Sequence, residues 1–73
     1  MWTLPTLSWR DVVKELIKAG FQPARQKGSH LILVKGEYIV PAPKHREIKR
    51  GLLLEIMAEA GMTKEEFIKL ASE

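Results

Sequence analysis

Two glycine-led pairs, Gly-Ser at 28–29 and Gly-Glu at 36–37, divide the middle of the chain into runs of strand length rich in Ile, Val, Leu and Tyr. Such pairs between apolar runs are typical of tight hairpin turns. Two of them in succession predict a three-stranded antiparallel meander between residues 21 and 41. Because Pro23 has no amide hydrogen to donate, the first strand is expected to lie at an edge or to start late.

Helical patterns flank the predicted meander. Ser8 can cap a helix over 9–19, where apolar residues recur at helical spacing, and the segment 52–61 repeats this pattern after the meander. A Thr-x-x-Glu capping box at 63–66 predicts a last short helix. The sequence therefore predicts an α+β fold in which helices cover one face of a small three-stranded antiparallel sheet. The expected order is helix, strand, strand, strand, helix, followed by a short C-terminal helix.

The chain has 73 residues and no cysteine, which limits how it can be stabilised. This length suffices for a single domain, 1–73, that buries about 60% of its unfolded surface. The lack of cysteine excludes disulfides and thiolate metal sites and favours a reducing compartment. No stretch approaches the ~20 apolar residues of a membrane helix, and residues 1–9 lack the basic start and apolar run of a signal peptide. We therefore expect a cytoplasmic protein that uses no membrane, no metal and no other cofactor.

Positive charge is concentrated in the middle of the chain. The segment 22–51 carries seven Lys or Arg residues against two Glu, a net charge of +5, whereas the remainder has a net charge of −2. A basic centre between neutral or acidic flanks is typical of a face that binds a polyanion such as nucleic acid, and a solvated surface can have the same composition. The basic residues of this segment are Arg25, Lys27, Lys35, Lys44, Arg46, Lys49 and Arg50.

His30 opens the second predicted strand, and the register decides which face of the sheet it lies on. With two-residue turns in both hairpins, Lys27 pairs with His30 and Arg25 pairs with Ile32, so that these four residues share one open face. The other face is the better core because it holds fewer charges, and its members are Ala24, Gln26, Leu31, Leu33, Tyr38 and Val40. A register slipped by one residue would instead turn His30 into the core.

Four stretches of the chain together resemble the HicA family of toxins, also called the YcfA-like family: LPTLSWRDVVKELIKAGF, RQKGSH, PKHREIKRG and AGMTKEEF. The similarity runs from Leu4 to Leu70, and the order and spacing of the stretches carry it. The resemblance implies the fold of a double-stranded-RNA-binding domain. It also implies an activity, because HicA toxins are mRNA interferases of type II toxin-antitoxin systems. These endoribonucleases arrest translation and are inhibited by a HicB antitoxin.

The resemblance assigns roles to particular residues. The histidine of the family's Gly-Ser-His motif is catalytic, and that position is His30 here. His45, in a Pro-x-His segment, is a second candidate acid or base, although it can equally bind RNA or belong to the solvated surface. An imidazole titrates near neutral pH and can serve metal-independent cleavage of single-stranded mRNA. The expected phosphate-binding residues are Arg25, Lys27, Gly28, Ser29, Lys44, Arg46, Lys49 and Arg50.

An apolar patch is expected beside His30 on the open face. The same pairing that exposes His30 brings Ile32, Val34 and Ile39 together there, and exposed patches of this kind often mark an interface. We expect the antitoxin, or a second copy of the chain in a homodimer, to cover it. Three functions therefore stay open: a ribonuclease toxin, a non-catalytic RNA-binding module of the same fold, and a pure interaction protein.

Overall fold

The computed structural model describes residues 7–72, so that segment 1–6 of the expected domain and Glu73 lie outside the described residues. The predicted α+β order is confirmed. None of the helices in the described range is long and apolar enough to span a membrane. The elements are α1 (Trp9–Lys18), β1 (Gln22–Lys27), β2 (His30–Lys35), β3 (Tyr38–Pro43), α2 (Arg50–Glu59) and α3 (Lys64–Ser72).

The sheet has the predicted register. Its strand order is β1-β2-β3 with both pairs antiparallel, and β1 is the edge strand that Pro23 indicated. His30 lies opposite Lys27, and Ile32 lies between Arg25 on β1 and Pro41 on β3. The slipped register that would bury His30 does not occur, because both turns contain two residues and fix the pairing on either side.

Two details of the strands differ from the prediction. The register of β1 shifts between Pro23 and Arg25, so that Ala24 forms a bulge. The third strand continues beyond Pro41 to Pro43. The Lys44 N–H donates to the Ser29 carbonyl at 2.9 Å, and pairs in an antiparallel ladder alternate. Both prolines therefore stand where an N–H would point away from β2, and the ladder loses no donor.

The first helix begins and ends as its sequence predicted, whereas α2 begins two residues before the predicted segment 52–61 and ends at Glu59. At the start of α1, Ser8 and Asp11 form a capping box. The last turn of α1 closes with hydrogen bonds from Gly20 N–H to the Ile17 carbonyl and from Phe21 N–H to the Leu16 carbonyl. This pair of bonds is the Schellman motif, and α2 ends in the same way.

The core lies between one face of the sheet and the three helices. Its sheet residues are Leu33, Val40 and Ala42, so the predicted core face is correct at its centre. It is wrong for Ala24, Gln26 and Tyr38, which are exposed. Ala24 lies in the bulge, and Gln26 lies in β1, which is exposed along its whole length. The Tyr38 ring lies at the start of β3 beside the end of α2, outside the core. The helical core residues include Val12, Leu16, Leu53, Ile56, Met57 and Phe67.

Candidate functional site

The open face of the sheet carries a shallow groove around His30. The groove has a volume of about 390 Å³ and is lined by Lys27, His30, Ile32 and Pro41. His30 and Lys27 are exposed and directly opposite each other across the β1–β2 hairpin. Arg25, also exposed, lies opposite Ile32. The structure therefore places His30 and both expected cations on one face, with Lys27 lining the groove and Arg25 outside its lining.

The turn at Gly28 and Ser29 holds His30 at the mouth of this groove. Gly28 has φ +60°, whereas Ser29 has an ordinary negative φ, which is the pattern of a type II′ hairpin turn with glycine first. A Cβ at Gly28 would meet no atom within 4 Å. The glycine is therefore required by the backbone angle, and the space above it is open to a ligand.

The basic segment after β3 divides into separate groups. The Lys44 ammonium donates to the Gln26 side-chain carbonyl and lies 5.2 Å from the centroid of the Trp9 ring. Arg46 lines a second depression, of about 420 Å³, together with Ser8, Trp9 and Arg10. Neither residue lines the groove around His30.

His45 and Lys49 are exposed in the same connection, and so is Arg50, the first residue of α2. The His45 N–H donates to the Pro43 carbonyl at 2.9 Å, and its carbonyl accepts from the Trp9 N–H at 3.1 Å. Lys49 is the N-cap residue of α2 and makes no side-chain capping bond. Lys49 and Arg50 therefore flank the positive end of the dipole of α2, where anions are favoured.

The apolar residues expected on the open face do lie there. Ile39 is 60% exposed, whereas Ile32 and Val34 are half-buried. The three form a continuous patch, because Val34 pairs with Ile39 and Ile32 is the next residue along β2 on that face. Among the described residues 7–72, no three His, Asp or Glu side chains are grouped as metal ligands would be.

The comparison with family models decides the family. A model described as the HicA toxin of bacterial toxin-antitoxin systems matches residues 9–62. The chain belongs to the HicA toxin family. It is therefore a toxin of a toxin-antitoxin system, and the family implies an antitoxin partner. No curated protein matches the chain significantly.

The HicA match runs from the first residue of α1 to a point just past the end of α2, so it includes the groove and the whole basic segment. The sequence pattern did not identify Trp9 and Arg10 as neighbours of the cations Lys44 and Arg46. Trp9 has the spacing of a core residue, and its partners Lys44 and Arg46 are far away in the sequence. A tryptophan-arginine pair at a helix start was the available signal.

Proposed function

We propose that this HicA toxin is a metal-independent endoribonuclease that cleaves single-stranded mRNA with His30 and thereby blocks translation. The observation that carries the proposal is the groove lined by His30 and Lys27, in a chain of this toxin family. An exposed imidazole beside a cation on an open sheet face is accessible to an extended RNA strand.

The chemistry requires two proton transfers. His30 accepts the proton of a ribose 2′-hydroxyl, and the resulting oxygen attacks the adjacent phosphorus. The bond from phosphorus to the 5′-oxygen then breaks, and an acid protonates that oxygen, which leaves a 2′,3′-cyclic phosphate and a 5′-hydroxyl. Each well-placed acid or base contributes roughly 10²- to 10⁴-fold.

His45 is the proposed acid for the second transfer. It lies one residue after Lys44, whose N–H bonds to the Ser29 carbonyl next to His30. The two histidines are therefore close along the backbone ladder. His45 is exposed, so its imidazole is free to reach a bound strand.

Cations and the turn complete the site. Lys27 and Arg25 share the face of His30 and stabilise the negative charge that develops on the phosphate. Ser29 and the backbone of Gly28 bind a phosphate oxygen. Lys44, Arg46, Lys49 and Arg50 bind neighbouring phosphates, which adds affinity that falls as salt rises.

The decisive experiment measures cleavage of an unstructured RNA with a chelator present. We expect His30→Ala to lower the rate roughly 10²-fold or more and His45→Ala to lower it less. Glu37→Ala, in the other hairpin turn, is the matched control and should cleave like wild type. Equal cleavage by wild type and His30→Ala would remove His30 from the mechanism. RNA retention without cleavage by wild type would favour the non-catalytic RNA-binding module.

A HicB-type antitoxin is the proposed occupant of the apolar patch formed by Ile32, Val34 and Ile39. A protein bound there covers the neighbouring His30 and excludes RNA. Ile39→Lys should weaken antitoxin binding at least tenfold and leave cleavage intact, because Ile39 is already 60% exposed. Ile17→Lys, at a residue of α1 that is 48% exposed, is the control.

Titration by isothermal calorimetry measures both variants. Antitoxin affinity that is unchanged by Ile39→Lys would reject this patch as the interface. If Ile39→Lys instead converts a dimeric free toxin to a monomer, a second copy of the chain is the occupant.

A further inference from the structure

Two cations lie close to the Trp9 ring. The Arg10 guanidinium carbon lies 5.4 Å from the ring centroid, and the Lys44 ammonium lies 5.2 Å from it. Arg46 lines the same depression as Trp9 and Arg10. We propose that the Trp9 ring is a stacking platform for an unpaired RNA base, with Arg10, Lys44 and Arg46 binding the phosphates on either side of that base. This proposal rests on the proposed ribonuclease function and adds a base-binding subsite to it.

Backbone bonds fix the platform relative to the catalytic groove. The Trp9 N–H donates to the His45 carbonyl, and the next residue back, Lys44, donates its N–H to Ser29. The segment 44–45 therefore joins the Trp9 ring at one side to the Gly-Ser-His turn at the other. An RNA strand whose scissile phosphate lies at His30 passes this segment within a few nucleotides.

Trp9 is held rigidly, as a platform must be. It is the first residue of α1, and the capping box at Ser8 sets its backbone. The bridge between Leu7 and Ile48 anchors the chain just before it. The ring is half-buried and packs partly against the core. A rigid aromatic surface binds with little loss of side-chain entropy, which favours stacking.

The charges around the ring favour a nucleic acid over a protein. Within the described residues 7–72, neither Arg10 nor Arg46 forms an ion pair. Both guanidinium groups can therefore bind an anion. A peptide carboxylate would satisfy the cations and leave the ring face unused. A nucleotide supplies both a phosphate and an aromatic face.

A bound base competes with the cations that now lie near the ring. Stacking of a base on an exposed aromatic ring is stronger than a solvent-exposed cation–π contact. The base therefore displaces the Lys44 ammonium from the ring, and this ammonium exchanges its bond to the Gln26 side chain for one to a phosphate. The platform requires no change of the backbone.

Tryptophan fluorescence tests the platform directly. Trp2→Phe leaves Trp9 as the one tryptophan in the sequence. The probe is a short RNA whose 2′-hydroxyls are all O-methylated, which removes the nucleophile and prevents cleavage. Its control is an abasic strand with the same number of phosphates. We expect quenching of Trp9 by the base-containing strand and little by the abasic one, and equal quenching by both would overturn the proposal.

Two substitutions separate stacking from packing. Trp9→Leu should weaken binding of the methylated RNA about tenfold, in the range seen when a stacking ring is removed, whereas Trp9→Phe should stay within about threefold. Circular dichroism checks that both variants are folded. An unchanged RNA affinity in Trp9→Leu would overturn the proposal, and a weakened antitoxin affinity beside it would identify a protein contact.

The outcome is independent of the test of the ribonuclease. A wild-type protein that cleaves RNA but shows no base-dependent quenching overturns the platform and leaves the catalytic proposal intact. A protein that stacks bases but does not cleave supports the platform and overturns the ribonuclease.

Discussion

Gly61 combines a backbone constraint with a packing constraint. It follows the C-cap residue Ala60 with φ +70° and donates its N–H to the Ala58 carbonyl. A Cβ at this position would lie 2.7 Å from Cε1 of the Tyr38 ring, closer than carbon atoms can approach. The end of α2 is therefore in contact with the start of β3 at a point where only hydrogen fits.

We predict that Gly61→Ala destabilises the fold through both constraints. The left-handed conformation costs alanine about 1–2 kcal/mol. The clash adds roughly 0.5–1.5 kcal/mol, the cost of moving the half-exposed Tyr38 ring off its rotamer. In a Tyr38→Ala background only the backbone component should remain, so the cost of Gly61→Ala should be smaller there. Urea denaturation of the four proteins measures this difference. An identical cost in both backgrounds would mean that the Tyr38 ring moves aside freely.

The capping box of α3 makes the stability of the fold depend on pH. The Thr63 N–H donates to the Glu66 carboxylate at 2.8 Å, and the Glu66 N–H donates to the Thr63 hydroxyl at 3.1 Å. The backbone bond, then the side-chain bond to Thr63, hold the pKa of Glu66 below its usual value of 4.5, and the charge of Lys35 acts in the same direction. The ionised carboxylate is therefore the form that favours the folded state.

We predict that the stabilisation from Glu66 is present above about pH 4.5 and is lost as the pH falls through the lowered folded value. Glu66→Gln should melt below wild type at pH 7, and the difference between the two melting temperatures should shrink as the pH falls through that lowered pKa. Glu65→Gln removes a charge from the same turn without touching the cap and should show a smaller change with pH. A wild-type advantage that does not shrink as the pH falls would contradict the linkage.

Local signals predicted the elements, while contacts between distant segments could not be predicted. The register followed from two-residue turns, which is why His30, Lys27 and Arg25 were correctly assigned to one face. The bulge at Ala24 could not be predicted, because one extra residue in an edge strand leaves no mark on its composition. Strand β3 extends past Pro41 because proline is tolerated where its missing N–H would face away from the ladder.

The difference between local signals and contacts of distant segments also applies to the whole molecule. The meeting of Trp9 with Lys44 depends on the pairing of the chain before α1 with the connection before α2, as the bridge between Leu7 and Ile48 records. Neither segment has a sequence pattern that predicts its contact with the other. The part of the candidate site that lies within one hairpin was therefore predicted. The part around Trp9, which two distant segments form together, was missed.

Helix α3 lies beyond the family match at 9–62 and still belongs to the core. Its Phe67 is fully buried in the same cluster as residues of α1 and α2. The Lys18 ammonium of α1 donates to the Leu70 carbonyl at 3.2 Å, which ties the two helices at their ends. The fold of this HicA toxin thus includes an element that the family pattern does not define.

We predict that Phe67→Ala destabilises the protein by about 3–5 kcal/mol, because it removes a buried aromatic ring and leaves a cavity. For a domain this small, that is a large share of the total free energy of unfolding. Leu54→Ala, at a residue of α2 that is 38% exposed, is the control and should change stability by less than about 1 kcal/mol. Urea denaturation followed by circular dichroism measures both. If Phe67→Ala unfolds at the wild-type midpoint, α3 does not contribute to the stability of the fold, which then depends on residues 9–62 alone.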